Sequence, residues 1–211
     1  MGEVLRREEH WRMRGDADSA YADQRSAMRY TLLIRAAKLI GPSGEYLCVV
    51  RDASETGASI RLFHSLPDEE RMLLELQNGD RHEVEIVWSD DEKAGLRFCG
   101  PVDIARIVES PSRFSKRPVR LNVSCNAYLM AGGVEHRVEV QDISQQGAKL
   151  GCDQRFPIDQ RVTLKAEGIP DIHAKVRWRR EDSCGLIFEN TFQFGELARV
   201  VAALQAKNVA R

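Results

Sequence analysis

Two kinds of segment are missing from this chain. No run approaches the roughly 18 consecutive apolar residues that a membrane-spanning helix needs. No apolar stretch accompanies the charged residues between Met1 and Asp18, as a secretory leader would require. The expectation is a cytoplasmic protein with no membrane span. Charge of one sign is lacking too: 31 Lys and Arg stand against 32 Asp and Glu, a formal net charge of -1. Proteins that coat nucleic acid draw affinity from many cation–phosphate contacts, so neither DNA nor RNA is expected as a partner. A small anionic ligand, which needs only a few placed arginines, is not excluded. The five cysteines (Cys48, Cys99, Cys125, Cys152, Cys184) include no CxxC pair, and most sit in apolar runs. There a thiol behaves as a small hydrophobe. The five histidines are scattered, without metal-ligand spacing. Neither a phosphate-binding loop nor a nucleophile–base–orienter set is present. No catalysis, cofactor or metal is therefore expected.

What the chain does have is a repeat. Its 211 residues suit two domains of about 100 residues each. Arg25 and Arg29 match Arg113 and Arg117 at an offset of 88. Asp52, Ser54 and Gly57 match Asp142, Ser144 and Gly147 at an offset of 90. The same offset of 90 relates Pro67, Arg71, Trp88, Gly95-Leu96 and Phe98 to Pro157, Arg161, Trp178, Gly185-Leu186 and Phe188. One spacing held over so many special residue types marks two copies of one unit. The chain divides into a tail at 1–24, a first domain at 25–108, a linker at 109–112 around Pro111, and a second domain at 113–211.

Each copy reads as short strands. Tyr46, Cys48 and Val50 alternate with polar or exposed positions, as do Ala58, Ile60 and Leu62. In the second copy Val134, His136, Val138 and Val140 do the same. Val84-Ile86-Trp88 and Ala174-Val176-Trp178 continue the two-residue period and favour a core or barrel-rim role for both tryptophans over a base-stacking one. Gly41-Pro42-Ser43-Gly44, Gly79-Asp80 and Ala131-Gly132-Gly133 mark turns. Helical patterns close both copies, a short one at 102–108 and a longer one at 194–206, with Leu197, Val200, Val201 and Leu204 on one stripe. The expected fold is mainly β: two tandem six-stranded antiparallel barrels, each followed by a C-terminal helix.

Two elements carry chemistry. One is Arg-x-x-x-Arg, at Arg25 and Arg29 and again at Arg113 and Arg117. The other is Asp-x-Ser-x-x-Gly, at Asp52, Ser54, Gly57 and at Asp142, Ser144, Gly147. Singly, the first is a solvated charged segment and the second a turn. Doubled and in this order, they point to a ligand with both acceptor and donor edges. Both copies resemble the PilZ family, bacterial domains that bind cyclic di-GMP through an Arg-x-x-x-Arg segment ahead of the first strand and an Asp/Asn-x-Ser-x-x-Gly at a strand end. The resemblance implies that Arg25 and Arg113 engage guanine and that Arg29 and Arg117 contact phosphate or base. Guanine offers O6 and N7 as paired acceptors, which a guanidinium meets bidentately. Its N1–H and N2–H₂ edge wants an acceptor, for which Asp52 and Asp142 are suited, assisted by Ser54 and Ser144. Gly57 and Gly147 would allow close approach. The implied ligand is cyclic di-GMP and the implied role a sensor acting on an unidentified downstream protein. The alternative is an interaction module in which one or both barrels do not bind nucleotide.

Overall fold

The computed structural model describes residues 30–90, 92–109 and 118–209. Arg25, Arg29, Arg113, Arg117, the tail and most of the linker lie outside them. The first copy runs β1 (Tyr30–Gly41), β2 (Gly44–Ala53), β3 (Gly57–Arg61), β4 (Arg71–Leu76), β5 (Arg81–Ser89), β6 (Lys93–Phe98) and α1 (Ile104–Glu109). The second runs β7 (Leu121–Ala131), β8 (Val134–Ile143), β9 (Gly147–Gly151), β10 (Arg161–Lys165), β11 (Ile172–Arg179), β12 (Ser183–Phe188) and α2 (Phe194–Val209). Each set of six strands closes into an antiparallel barrel, in the orders β1-β2-β3-β6-β5-β4 and β7-β8-β9-β12-β11-β10. The two orders are the same, so the sequence repeat is a structural one. Closure leaves no free sheet edge.

The turns follow local chemistry. Gly132 and Gly133 both adopt positive φ, 59° and 83°, as a two-residue turn matched to strand twist requires. Asp103 starts α1 by accepting the Ala105 amide at 3.0 Å, an N-cap. At its other end the Arg35 guanidinium donates to the Val108 carbonyl at 2.7 Å, satisfying one of the acceptors a helix terminus leaves open. In α2 the expected stripe is the buried one: Leu197, Val200, Val201 and Leu204 are 0–6% exposed.

Two strand readings need correction. In β2 burial does not alternate, because every residue from Glu45 to Val50 is buried. Tyr46, Cys48 and Val50 face their own barrel, while α2 and β7 lie against β2 on the side of the outward Leu47. Leu47 belongs to the second barrel's apolar core. Across the same boundary Phe63 meets Phe194, with ring centroids 6.2 Å apart. In β8 only Val138 and Val140 of the predicted inward row are buried. Val134 is exposed beside the Gly132-Gly133 turn.

Candidate ligand-binding surface

Alternation would point Asp52 inward, since Val50 lies two residues before it on the inner face. A register shift between Val50 and Asp52 prevents this. It is a β-bulge, which changes which face the following residues present. Asp52 emerges on the outer wall, and Ala53 takes the inner place with no exposure. The second barrel repeats the device: a shift between Val140 and Asp142 leaves Ile143 fully buried and Asp142 outside.

A second pair of bulges treats the tryptophans alike, between Ile86 and Trp88 and between Val176 and Trp178. Trp88 lies outside and is half exposed, so its core reading is corrected. The cause is again an inserted residue, invisible to periodicity. Each indole lies over a glycine of the adjacent strand: a Cβ on Gly95 would meet the Trp88 ring, and one on Gly185 the Trp178 ring.

These shifts line up side chains across four strands. In the first barrel the pairing runs Asp52–Ser59–Gly95–Trp88. In the second it runs Asp142–Lys149–Gly185–Trp178. A carboxylate therefore stands at one end of each row, and at the other an indole packs over a glycine. An acceptor for a purine's donor edge and a flat apolar surface share one wall in both barrels. The rows differ in the middle: Ser59 donates to Asp52, whereas Lys149 adds a positive charge. A neighbouring outer row differs too. Arg97, Glu85 and Arg71 form an exposed ion cluster in the first barrel, and the Arg97 guanidinium holds the Glu85 carboxyl below its usual range. The corresponding positions of the second barrel are Ile187, Lys175 and Arg161.

The remaining motif residues serve the turns. Ser54 and Ser144 are 4% and 3% exposed. Their hydroxyls donate to the carbonyls of Gly57 at 3.3 Å and Gly147 at 3.1 Å, and their amides reach the same oxygens at 2.8 Å. Both close the β2–β3 and β8–β9 connections. Gly57 and Gly147 are not in positive φ. Their need is space, because a Cβ would press into the carbonyl oxygens of Leu96 and Leu186.

Arg120 is the residue that motif spacing missed. Its Nη1 donates to Asp142 Oδ1 at 2.6 Å. Thr31 pairs with Asp52, and Asn122 with Asp142. Counted along the sequence from these paired residues, Arg120 precedes Asn122 by two as Arg29 precedes Thr31 by two. The signal was available in the strand that comes after the arginines rather than in their spacing.

The PilZ domain family matches residues 23–109 and again 111–204, nearly the whole described chain. The chain belongs to the PilZ family. Its tandem PilZ fold is similar to several solved structures. Borreliella burgdorferi PlzA, solved in complex with c-di-GMP, is 13% identical, covering 90% of this chain and 99% of that one, with a TM-score of 0.35. Bacillus subtilis MotI/DgrA, an inhibitor of motility, is 14% identical, covering 86% and 99%, with a TM-score of 0.35. Escherichia coli YcgR, in complex with c-di-GMP, is 11% identical, covering 83% and 86%, with a TM-score of 0.32. Membership rests on the two matched PilZ segments and not on these distant likenesses. Comparison with curated proteins gives no match. Among the described residues, no helix is long and apolar enough to cross a membrane.

Proposed function

We propose that this PilZ protein is a non-catalytic receptor for cyclic di-GMP with one site on each barrel. The observation that carries this reading is the duplicated outer row, with a carboxylate at one end and, at the other, an indole packed over a glycine. Asp52 and Asp142 accept from the guanine N1–H and N2–H₂ edge. Arg25 and Arg29, and in the second copy Arg113, Arg117 and Arg120, meet guanine acceptors and phosphate through charge-assisted bonds. Ser54, Ser144, Gly57 and Gly147 shape the turn that presents each carboxylate. Ligand orders the arginine segments and, through the segment joining the barrels, alters how the barrels sit together. The output is regulation of motility, exopolysaccharide or biofilm formation through a downstream protein.

Calorimetry with cyclic di-GMP, and with GTP as control, tests the reading. Saturable binding of the first and none of the second is expected; heats indistinguishable from dilution would end it. Amides 112–119 should exchange more slowly with ligand, and solution scattering should change.

The interaction-module alternative keeps one supporting observation. Asp142 is already satisfied by Arg120, as in a barrel that docks protein rather than nucleotide. A chain that takes up ligand only at the Asp52 site would favour it for the second barrel.

A further inference from the structure

The two candidate sites are not held in the same way. In the first barrel the β1 entry residue Tyr30 is 39% exposed. Its counterpart Leu121 has no exposure and sits in the second core. The residues on either side of Leu121 are gripped by the first barrel. Lys38 Nζ donates to the Arg120 carbonyl at 3.0 Å. The Glu45 carboxylate accepts from the Asn122 amide at 2.9 Å and from Asn122 Nδ2 at 2.7 Å.

The gripping groups are themselves fixed. Lys38 and Glu45 are 6% and 8% exposed and pair at 2.8 Å. Glu75 approaches Lys38 at 3.4 Å. Gln205 of α2 accepts the Glu45 amide at 2.7 Å and donates to the Glu45 carbonyl at 2.9 Å. A buried ion pair contributes little net stability compared with apolar packing, and its best-attested use is to specify one arrangement. Here the arrangement specified is that of three consecutive residues: the Arg120 carbonyl, the Leu121 side chain and both Asn122 nitrogens. The Arg120 guanidinium is thus launched from an immobilised backbone toward Asp142.

We propose that Lys38 and Glu45 of the first barrel are positioning residues for the second barrel's ligand site, which they reach across the domain boundary. This rests on the cyclic di-GMP reading above. A preorganised donor loses less entropy when the ligand arrives, so the grip on Arg120 and Asn122 favours ligand at the second site.

The test replaces Lys38 and Glu45 together by Met, which leaves no lone buried charge; Glu75 keeps Arg81, at 2.7 Å. Calorimetry with cyclic di-GMP is run on the full chain in two backgrounds. With Asp52→Ala silencing the first site, the double change should weaken the second by about tenfold, the scale of a lost hydrogen bond. With Asp142→Ala silencing the second, the same change should leave the first unaltered. The Asn122 amide should also exchange faster in the double variant without any ligand. Unchanged second-site affinity, or equal weakening of both sites, overturns the proposal. A wild-type chain that takes up no cyclic di-GMP removes the receptor reading and this inference with it. Normal wild-type binding with an indifferent double variant removes this inference alone.

Discussion

Arg120 and Asp142 meet at 2.6 Å on the outer wall of the second barrel, at the carboxylate that a guanine edge would use. Ligand entry must exchange this contact for others. Arg120→Ala should therefore weaken binding at the second site by roughly ten- to hundredfold, the range for a charge-assisted bond, and more than Arg117→Ala does. Titration in an Asp52→Ala background measures it. An effect confined to Arg117 would show that strand register misassigns the second arginine.

The exposed Trp88 ring on Gly95 should report ligand directly. Fluorescence of a chain carrying Trp11→Phe and Trp178→Phe should be quenched as cyclic di-GMP is added, and Asp52→Ala should suppress that quenching. Trp178, with the Arg180 guanidinium 5.6 Å from its ring, should respond separately in a chain carrying Trp11→Phe and Trp88→Phe. An unchanged spectrum at saturating ligand would remove the indole from the site.

Gly147→Ala and Gly57→Ala force a methyl against a neighbouring strand's carbonyl. Each should destabilise its barrel by about 1–3 kcal/mol, as overpacking does. Gly100→Ala meets open space without positive φ and should stay within about 0.5 kcal/mol of wild type. Urea midpoints distinguish the cases.

His82 sits edge-on to Phe98 at 5.5 Å, and its Nε2 is buried without a hydrogen-bond partner. Burial holds its pKa below the ordinary value, with the Asp80 charge opposing and Arg106 adding to the depression. The unfolded chain therefore takes up this proton at higher pH than the folded one. The contribution is intact above about pH 6.5, the ordinary imidazole value, and is lost as pH falls through the folded pKa. Unfolding midpoints should decline over that window, and His82→Phe should flatten the decline.

Thiol chemistry separates the cysteines. Cys99 is exposed and the other four are buried. Burial pushes Cys48 and Cys184 up to about 12 and Cys125 up to about 11. A thiol reagent at mild alkaline pH should titrate one group in the folded protein and all five once it is denatured.

The doubled fold was legible because repeat spacing and turn residues are local signals. The bulges were not, since one inserted residue carries no compositional mark. A hint did exist: Asp52 shares the inward parity of Cys48 and Val50, a place for a carboxylate only if the parity breaks. Arg120 escaped for a related reason. The arginine segments match at an offset of 88, but Thr31 and Asn122 stand 91 apart by strand register. The irregular stretch from Thr31 to Arg35 is one residue longer than that from Asn122 to Cys125. Spacing alone could not assign that extra residue. The covering of β2 was equally hidden, because Leu47 becomes interior only when the two barrels meet.

That covering makes the two copies unlike. The β8 positions matching Leu47 and Val49 are Arg137 and Glu139, both exposed. At the position where the first barrel offers Leu47 to its successor, the second offers Arg137. A first barrel released from its partner would carry Leu47 and a buried ion pair into water. Duplication here has produced two halves that are not interchangeable.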